Sequence, residues 1–100
     1  MIEINEENFN EKVLKSEKPV LLDFWANGCG ICRQLAPVFE ELAEEMKDSA
    51  VFGKIDVDKN PGLAQTFRVM SIPTLISFKD GQPAKKVVGL VTKEKLKEML

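Results

Sequence analysis

The chain has 100 residues, a formal net charge of −2 and 44% hydrophobic residues. That length and composition support one domain with a single core, and the near-balanced charge gives no basis for nucleic acid or an anionic membrane as partner. Met1-Ile2-Glu3-Ile4 carries no basic segment leading an apolar one, and every apolar run is too short to span a bilayer, so the default address is the cytoplasm.

Ile2 and Ile4 alternate with Glu3 in a short strand-like piece. Asn5 and Asn8 are both candidate helix N-caps, and Glu11 follows Asn8 at capping-box spacing. Phe9, Val13 and Leu14 form the apolar stripe of a short helix ending near Ser16, which Glu17-Lys18-Pro19 breaks. Val20-Leu21-Leu22-Asp23-Phe24-Trp25 is a continuous apolar run with one carboxylate inside it, the pattern of a strand buried on both faces. Ala26-Asn27-Gly28 is a turn. From Cys32 to about Met46 the apolar residues Leu35, Val38, Phe39, Leu42, Ala43 and Met46 keep helical spacing, and Pro37 is expected to kink that helix.

Val51 to Val57 reads as a second central strand. Asn60-Pro61 is an N-cap followed by a first-turn proline, opening a helix through Leu63, Ala64 and Phe67. Thr74 to Phe78 is a strand, Asp80-Gly81 a turn, and Lys85 to Val88 the returning strand of a hairpin. Thr92 caps a last helix carrying Leu96, Met99 and Leu100. Alternating strands and helices call for right-handed crossovers and parallel pairing, and the hairpin adds an antiparallel pair. The expected architecture is α/β, a mixed sheet of about five strands with helices on both faces.

Cys29 and Cys32 are the only cysteines, with two residues between them, and the chain has no histidine. Two thiols at that spacing on a strand-to-helix turn can close a small disulfide and reopen it, which is dithiol–disulfide redox chemistry. A tetrahedral zinc site would be left half filled unless two chains shared it, so no metal is expected. Cys29 lies at the N-terminal end of the helix, where unpaired N–H groups and the positive dipole end favour a thiolate. It is the candidate nucleophile, and Cys32, one turn deeper, the candidate resolving thiol. Arg33 adds a positive charge that points either to this sulfur or to solvent. Asp23, within an apolar strand, is costly to ionise and should have a raised pKa. The alternatives are an exposed edge-strand carboxylate or a buried one satisfied by Lys54. Trp25 is first a packing residue, with an edge that can shield the disulfide. Lys85, Lys86, Lys93, Lys95 and Lys97 read as a solvated face interspersed with Glu94 and Glu98.

The segment Asp23-Phe24-Trp25-Ala26-Asn27-Gly28-Cys29-Gly30-Ile31-Cys32-Arg33 resembles the active-site segment of the thioredoxin family. The likeness extends along the chain. Ala36-Pro37 is similar to the family's helix proline, Lys54-Ile55-Asp56-Val57-Asp58 to its central strand, and Asn60-Pro61-Gly62 to the next helix start. Ser71-Ile72-Pro73-Thr74 resembles its cis-proline loop, Phe78-Lys79-Asp80-Gly81 its hairpin, and Val88-Gly89 the glycine facing the active site. Two positions depart from the family: Gly28 stands where tryptophan is usual, and Ile31 where proline is usual. The first bears on target recognition. The second bears on redox poise, because the Ile31 N–H, if aimed at the sulfur, makes the disulfide easier to reduce.

This resemblance implies a thioredoxin fold over residues 1–100 and a monomeric, cytoplasmic protein-disulfide reductase and electron carrier. It implies no bound cofactor. The implied partners are disulfide-containing proteins and a dedicated reductase, either a flavoprotein or one fed by ferredoxin. It implies that Asp23 takes the proton of Cys32 through a water, with Lys54 near Asp23. A cis Ile72–Pro73 bond would turn the Ile72 backbone toward Cys29 and offer an extended substrate one N–H and one C=O. Trp25, Gly30, Ile31, Ile72, Pro73, Gly89 and Leu90 form the implied substrate surface. The competing readings are a more oxidising protein that makes or reshuffles disulfides, and a redox-inactive adaptor that binds a partner through the same surface.

Overall fold

Five strands form one sheet in the computed structural model, which describes residues 1–100: β1 (Ile2–Glu3), β2 (Val20–Trp25), β3 (Val51–Asp56), β4 (Thr74–Lys79) and β5 (Gln82–Val88). Their spatial order is β1-β3-β2-β4-β5. β1 and β2 each run parallel to β3, whereas β4 runs antiparallel to both β2 and β5. Three helices pack on this sheet: α1 (Gly30–Glu45), α2 (Pro61–Thr66) and α3 (Lys93–Glu98). This is the thioredoxin fold expected from the sequence.

β2 is central because it can be dry on both faces. Side chains alternate across a strand. Val20, Leu22 and Phe24 join a core with Ile4, Phe9, Val13, Ile55, Leu63, Ile76 and Phe78. Leu21 faces the other way, into a core with Leu35, Phe39 and Leu42 of α1, Phe52, Leu75, and Leu96 of α3. By the same alternation Asp23 shares the α1 side of the sheet with Leu21. The chain leaves β2 at Trp25 and enters α1 at Gly30, so the cysteine pair sits where the buried strand meets the helix.

Several local expectations are met by nearby chemistry. Asp80 and Gly81 both have positive φ, 52° and 77°, the geometry of the tight hairpin turn that this residue pair favours. Thr92 caps α3 by accepting the Lys95 N–H at 3.1 Å. β5 nevertheless starts at Gln82, three residues before the expected Lys85. A two-residue turn starts the returning strand immediately, and on this exposed edge it needs no apolar alternation.

Two capping expectations are corrected. At the N-terminus the reciprocal pair is Asn5 with Asn8, not Asn8 with Glu11. Asn5 Oδ1 accepts the Glu7 and Asn8 N–H groups, both at 2.9 Å, and Asn8 Oδ1 accepts the Asn5 N–H at 2.8 Å. The next turn, Asn10–Leu14, is π-helical and is closed by the Lys15 N–H on the Asn10 carbonyl. Only Val13 of that turn is buried, and Leu14 is exposed, so the expected stripe is narrower than its sequence spacing suggested. Asn60 precedes Pro61 but does not cap α2 with its side chain. Its Oδ1 accepts the Glu6 N–H at 3.1 Å and its Nδ2 donates to the Asp56 carbonyl, also at 3.1 Å. The N-terminal loop brings that N–H within reach, and the buried amide serves it instead.

Candidate active site

Cys29 is the N-cap of α1, and Cys32 lies in its first turn. The two are joined as a disulfide with Cα atoms 5.2 Å apart. Cys29 is half-buried, whereas Cys32 is 4% exposed. Helix entry leaves the first N–H groups without carbonyl partners, and one of them finds the sulfur: the Cys32 N–H donates to Cys29 Sγ at 3.1 Å. In this disulfide form the donor is therefore the Cys32 N–H rather than the Ile31 N–H. Arg33 is exposed, as one of its two readings expected, and its guanidinium is anchored at the surface rather than aimed at the sulfur. Its Nη1 donates to the Asn27 carbonyl at 2.7 Å.

Asp23 is 1% exposed, and its Oδ1 has no hydrogen-bond partner. Lys54 is its register partner on β3 but forms no ion pair with it. Burial raises the Asp23 pKa from 3.8 to about 6, and the charge of Lys54 offsets part of that rise. The Lys54 ammonium lies 4.7 Å from the centroid of the Trp25 ring, a cation–π arrangement. Of the readings open for Asp23, the structure selects a buried, unsatisfied carboxyl group.

The Ile72–Pro73 peptide is cis, and the Ile72 carbonyl oxygen lies 3.9 Å from Cys29 Sγ. Pro73 is buried and Ile72 half-buried. Gly89 donates its N–H to the Pro73 carbonyl at 2.8 Å, at a φ of 98° that favours glycine. Thus Cys29, Ile72, Pro73 and Gly89 are linked by direct neighbours. Ile31 and Leu90 are 48% and 51% exposed, as a contact surface requires, and Gly30 is exposed beside them. Trp25 is half-buried and engages Lys54.

Two residues of this region carry weaker signals in the sequence. Thr74 Oγ1 donates to the Ser71 carbonyl at 2.6 Å and closes the loop that carries Ile72. A threonine just after Ile-Pro is its only sequence signal. Met70, two residues before Ile72, is 92% exposed, far beyond any other large apolar side chain. Its sequence signal is a methionine standing between a helix end and the proline loop.

A partly accessible sulfur bonded to a shielded one at a helix entry, in a chain that also buries a carboxyl group of raised pKa on the preceding strand, defines a protein of dithiol–disulfide exchange. The family model for thioredoxin matches residues 1–100. Thioredoxin of Mycobacterium bovis is 53% identical over 88 residues, covering 88% of this chain and 76% of that protein. Thioredoxin of Staphylococcus haemolyticus is 50% identical over 100 residues, covering 100% of this chain and 94% of its own. The bifunctional thioredoxin reductase/thioredoxin of Mycobacterium leprae is 51% identical over 88 residues, which are 88% of this chain and 19% of that longer protein. The chain belongs to the thioredoxin family and reduces protein disulfides by thiol–disulfide exchange. No helix is long and apolar enough to cross a membrane.

Proposed function

We propose that Cys29 attacks and Cys32 resolves, with Asp23 handling the proton between them. The observation that carries this reading is the difference in depth of the two sulfurs, half-buried against 4% exposed. The Cys29 thiolate attacks one sulfur of a target disulfide, and the other target sulfur leaves as a thiolate. Cys32 then loses its proton toward Asp23 through a water and attacks Cys29 Sγ, expelling the second target thiolate. Two electrons have passed to the target, which carries two thiols after protonation, and this chain holds the Cys29–Cys32 disulfide.

Asp23 suits the proton step because a pKa of about 6 lets it accept and return a proton near neutral pH. Lys54 acts on it only through space. The target strand pairs with the Ile72 backbone, whose carbonyl already faces the sulfur at 3.9 Å. Trp25, Gly30, Ile31, Pro73, Gly89 and Leu90 frame that strand. Residues 1–100 act as one domain and as a monomer in the cytoplasm. A thioredoxin reductase, flavin- or ferredoxin-dependent, returns the disulfide to the dithiol. Support for such a partner comes from the Mycobacterium leprae relative, whose name joins both activities in one protein.

Trapping tests the division of labour. Cys32→Ser should accumulate covalent mixed disulfides with target proteins, and Cys29→Ser should accumulate none. The reverse pattern would assign attack to Cys32.

A further inference from the structure

We infer that Arg33 is a positioning residue for the attacking sulfur: it pins the turn in front of Cys29, a task left to it because residue 28 is glycine. The inference rests on Cys29 being the attacker. From inside, the turn is closed by one hydrogen bond, from the Cys29 N–H to the Ala26 carbonyl at 3.2 Å. Gly28 adds nothing to hold it. It is exposed, and a Cβ built there would meet no heavy atom within 4 Å. Glycine also has the most backbone freedom to lose when a conformation is fixed.

Arg33 restrains the same turn from outside. Its Nη1 donates to the Asn27 carbonyl at 2.7 Å, whereas the residue 33 backbone N–H makes the ordinary first helical bond to the Cys29 carbonyl at 3.3 Å, as any residue there would. The helix backbone thus holds the chain just after Gly28, and the Arg33 guanidinium holds it just before. Arg33 makes no ion pair that would compete for the guanidinium. A charged donor on a carbonyl is also stronger than a neutral one. Thiol–disulfide exchange needs the attacking sulfur lined up with the bond it breaks, and small displacements of a reacting atom are costly. A wandering Asn27-Gly28 segment would carry the Cys29 backbone with it.

A double-mutant cycle in the intact chain tests this, using Arg33→Ala, Gly28→Ala and the pair. Gly28→Ala fits the open space and stiffens the turn. The readouts are amide exchange at Cys29, insulin reduction with dithiothreitol, and the Cys29 pKa from alkylation rates. Arg33→Ala should speed amide exchange and slow insulin reduction, each by roughly threefold, the scale of one exposed hydrogen bond. The Cys29 pKa should hold. With alanine at 28, both losses should shrink to less than about half. Equal losses in the two backgrounds would overturn the inference. So would a shifted Cys29 pKa with unchanged amide exchange, which would make the guanidinium a charge acting on the sulfur. Failure of the attacker assignment is recognised separately, by mixed disulfides trapped through Cys32, and the amide exchange still decides whether Arg33 pins the turn.

Discussion

Asp23 and Lys54 stand opposite each other in the parallel pairing of β2 with β3, yet they make no ion pair. The ammonium lies over the Trp25 ring instead, and Asp23 Oδ1 is left without a partner in the interior. An unpaired buried carboxylate is unfavourable, so the group holds its proton to an unusually high pH. Its pKa of about 6 is the net of burial, which dominates, and the lysine charge, which opposes it.

That carboxyl makes stability depend on pH with a definite sign. Below its ordinary pKa of 3.8, Asp23 is protonated in folded and unfolded chains alike and costs nothing. Between 3.8 and about 6 the unfolded chain ionises first, so stability falls as pH rises. Above that window the full penalty is on the order of 3 kcal/mol. Asp23→Asn should therefore gain roughly 2–3 kcal/mol at pH 8 in urea unfolding, little at pH 4, and lose the slope between. It should also slow resolution by Cys32 near neutral pH. Unchanged turnover with an unchanged pH profile would leave Asp23 with a structural role only.

Gly28 leaves the position before the nucleophile without a side chain, and a Cβ built there would meet no heavy atom within 4 Å. Gly28→Trp should raise efficiency on protein disulfides and leave small-molecule disulfides nearly unaffected. Comparing kcat/KM for insulin and for a small aromatic disulfide checks this. Equal changes on both would mean that the thiol chemistry itself had been altered.

Ile31→Pro tests where the sulfur finds its hydrogen bond. The donor to Cys29 Sγ is the Cys32 N–H, which proline at residue 31 leaves in place. The Cys29 pKa should therefore stay within about half a unit of the parent. A larger upward shift, followed by thiolate absorbance across a pH titration, would show that the Ile31 N–H turns to the sulfur in the reduced form.

Gly89 and Gly30 separate conformation from space. A Cβ meets nothing within 4 Å at either, but only Gly89 has positive φ, 98°. Gly89→Ala should destabilise the fold by about 1–2 kcal/mol, the usual penalty for a left-handed L-residue. Gly30→Ala should be neutral or stabilising by up to about 1 kcal/mol. Equal thermal shifts in the two variants would contradict this assignment.

What the sequence determined by itself is local. A dry strand run, a two-residue turn at Asp80-Gly81, a threonine cap at residue 92 and a cysteine at a helix entry each depend on neighbours a few residues away. Periodicity and turn chemistry carry that information. The element order and the cysteine pair were legible for this reason, and the family resemblance supplied the proline loop.

The tertiary structure decided the rest, because those choices depend on partners distant in sequence. The Ile72 carbonyl that faces Cys29 comes from 43 residues away, and the Glu6 N–H that claims the Asn60 amide from 54 residues away. Lys54 is opposite Asp23 by strand register, yet a nearby aromatic face takes its ammonium. A long side chain has several rotamers, and a polar group takes the partner that packing leaves within reach. No local pattern encodes that competition, since its outcome is set only when the sheet has closed around it.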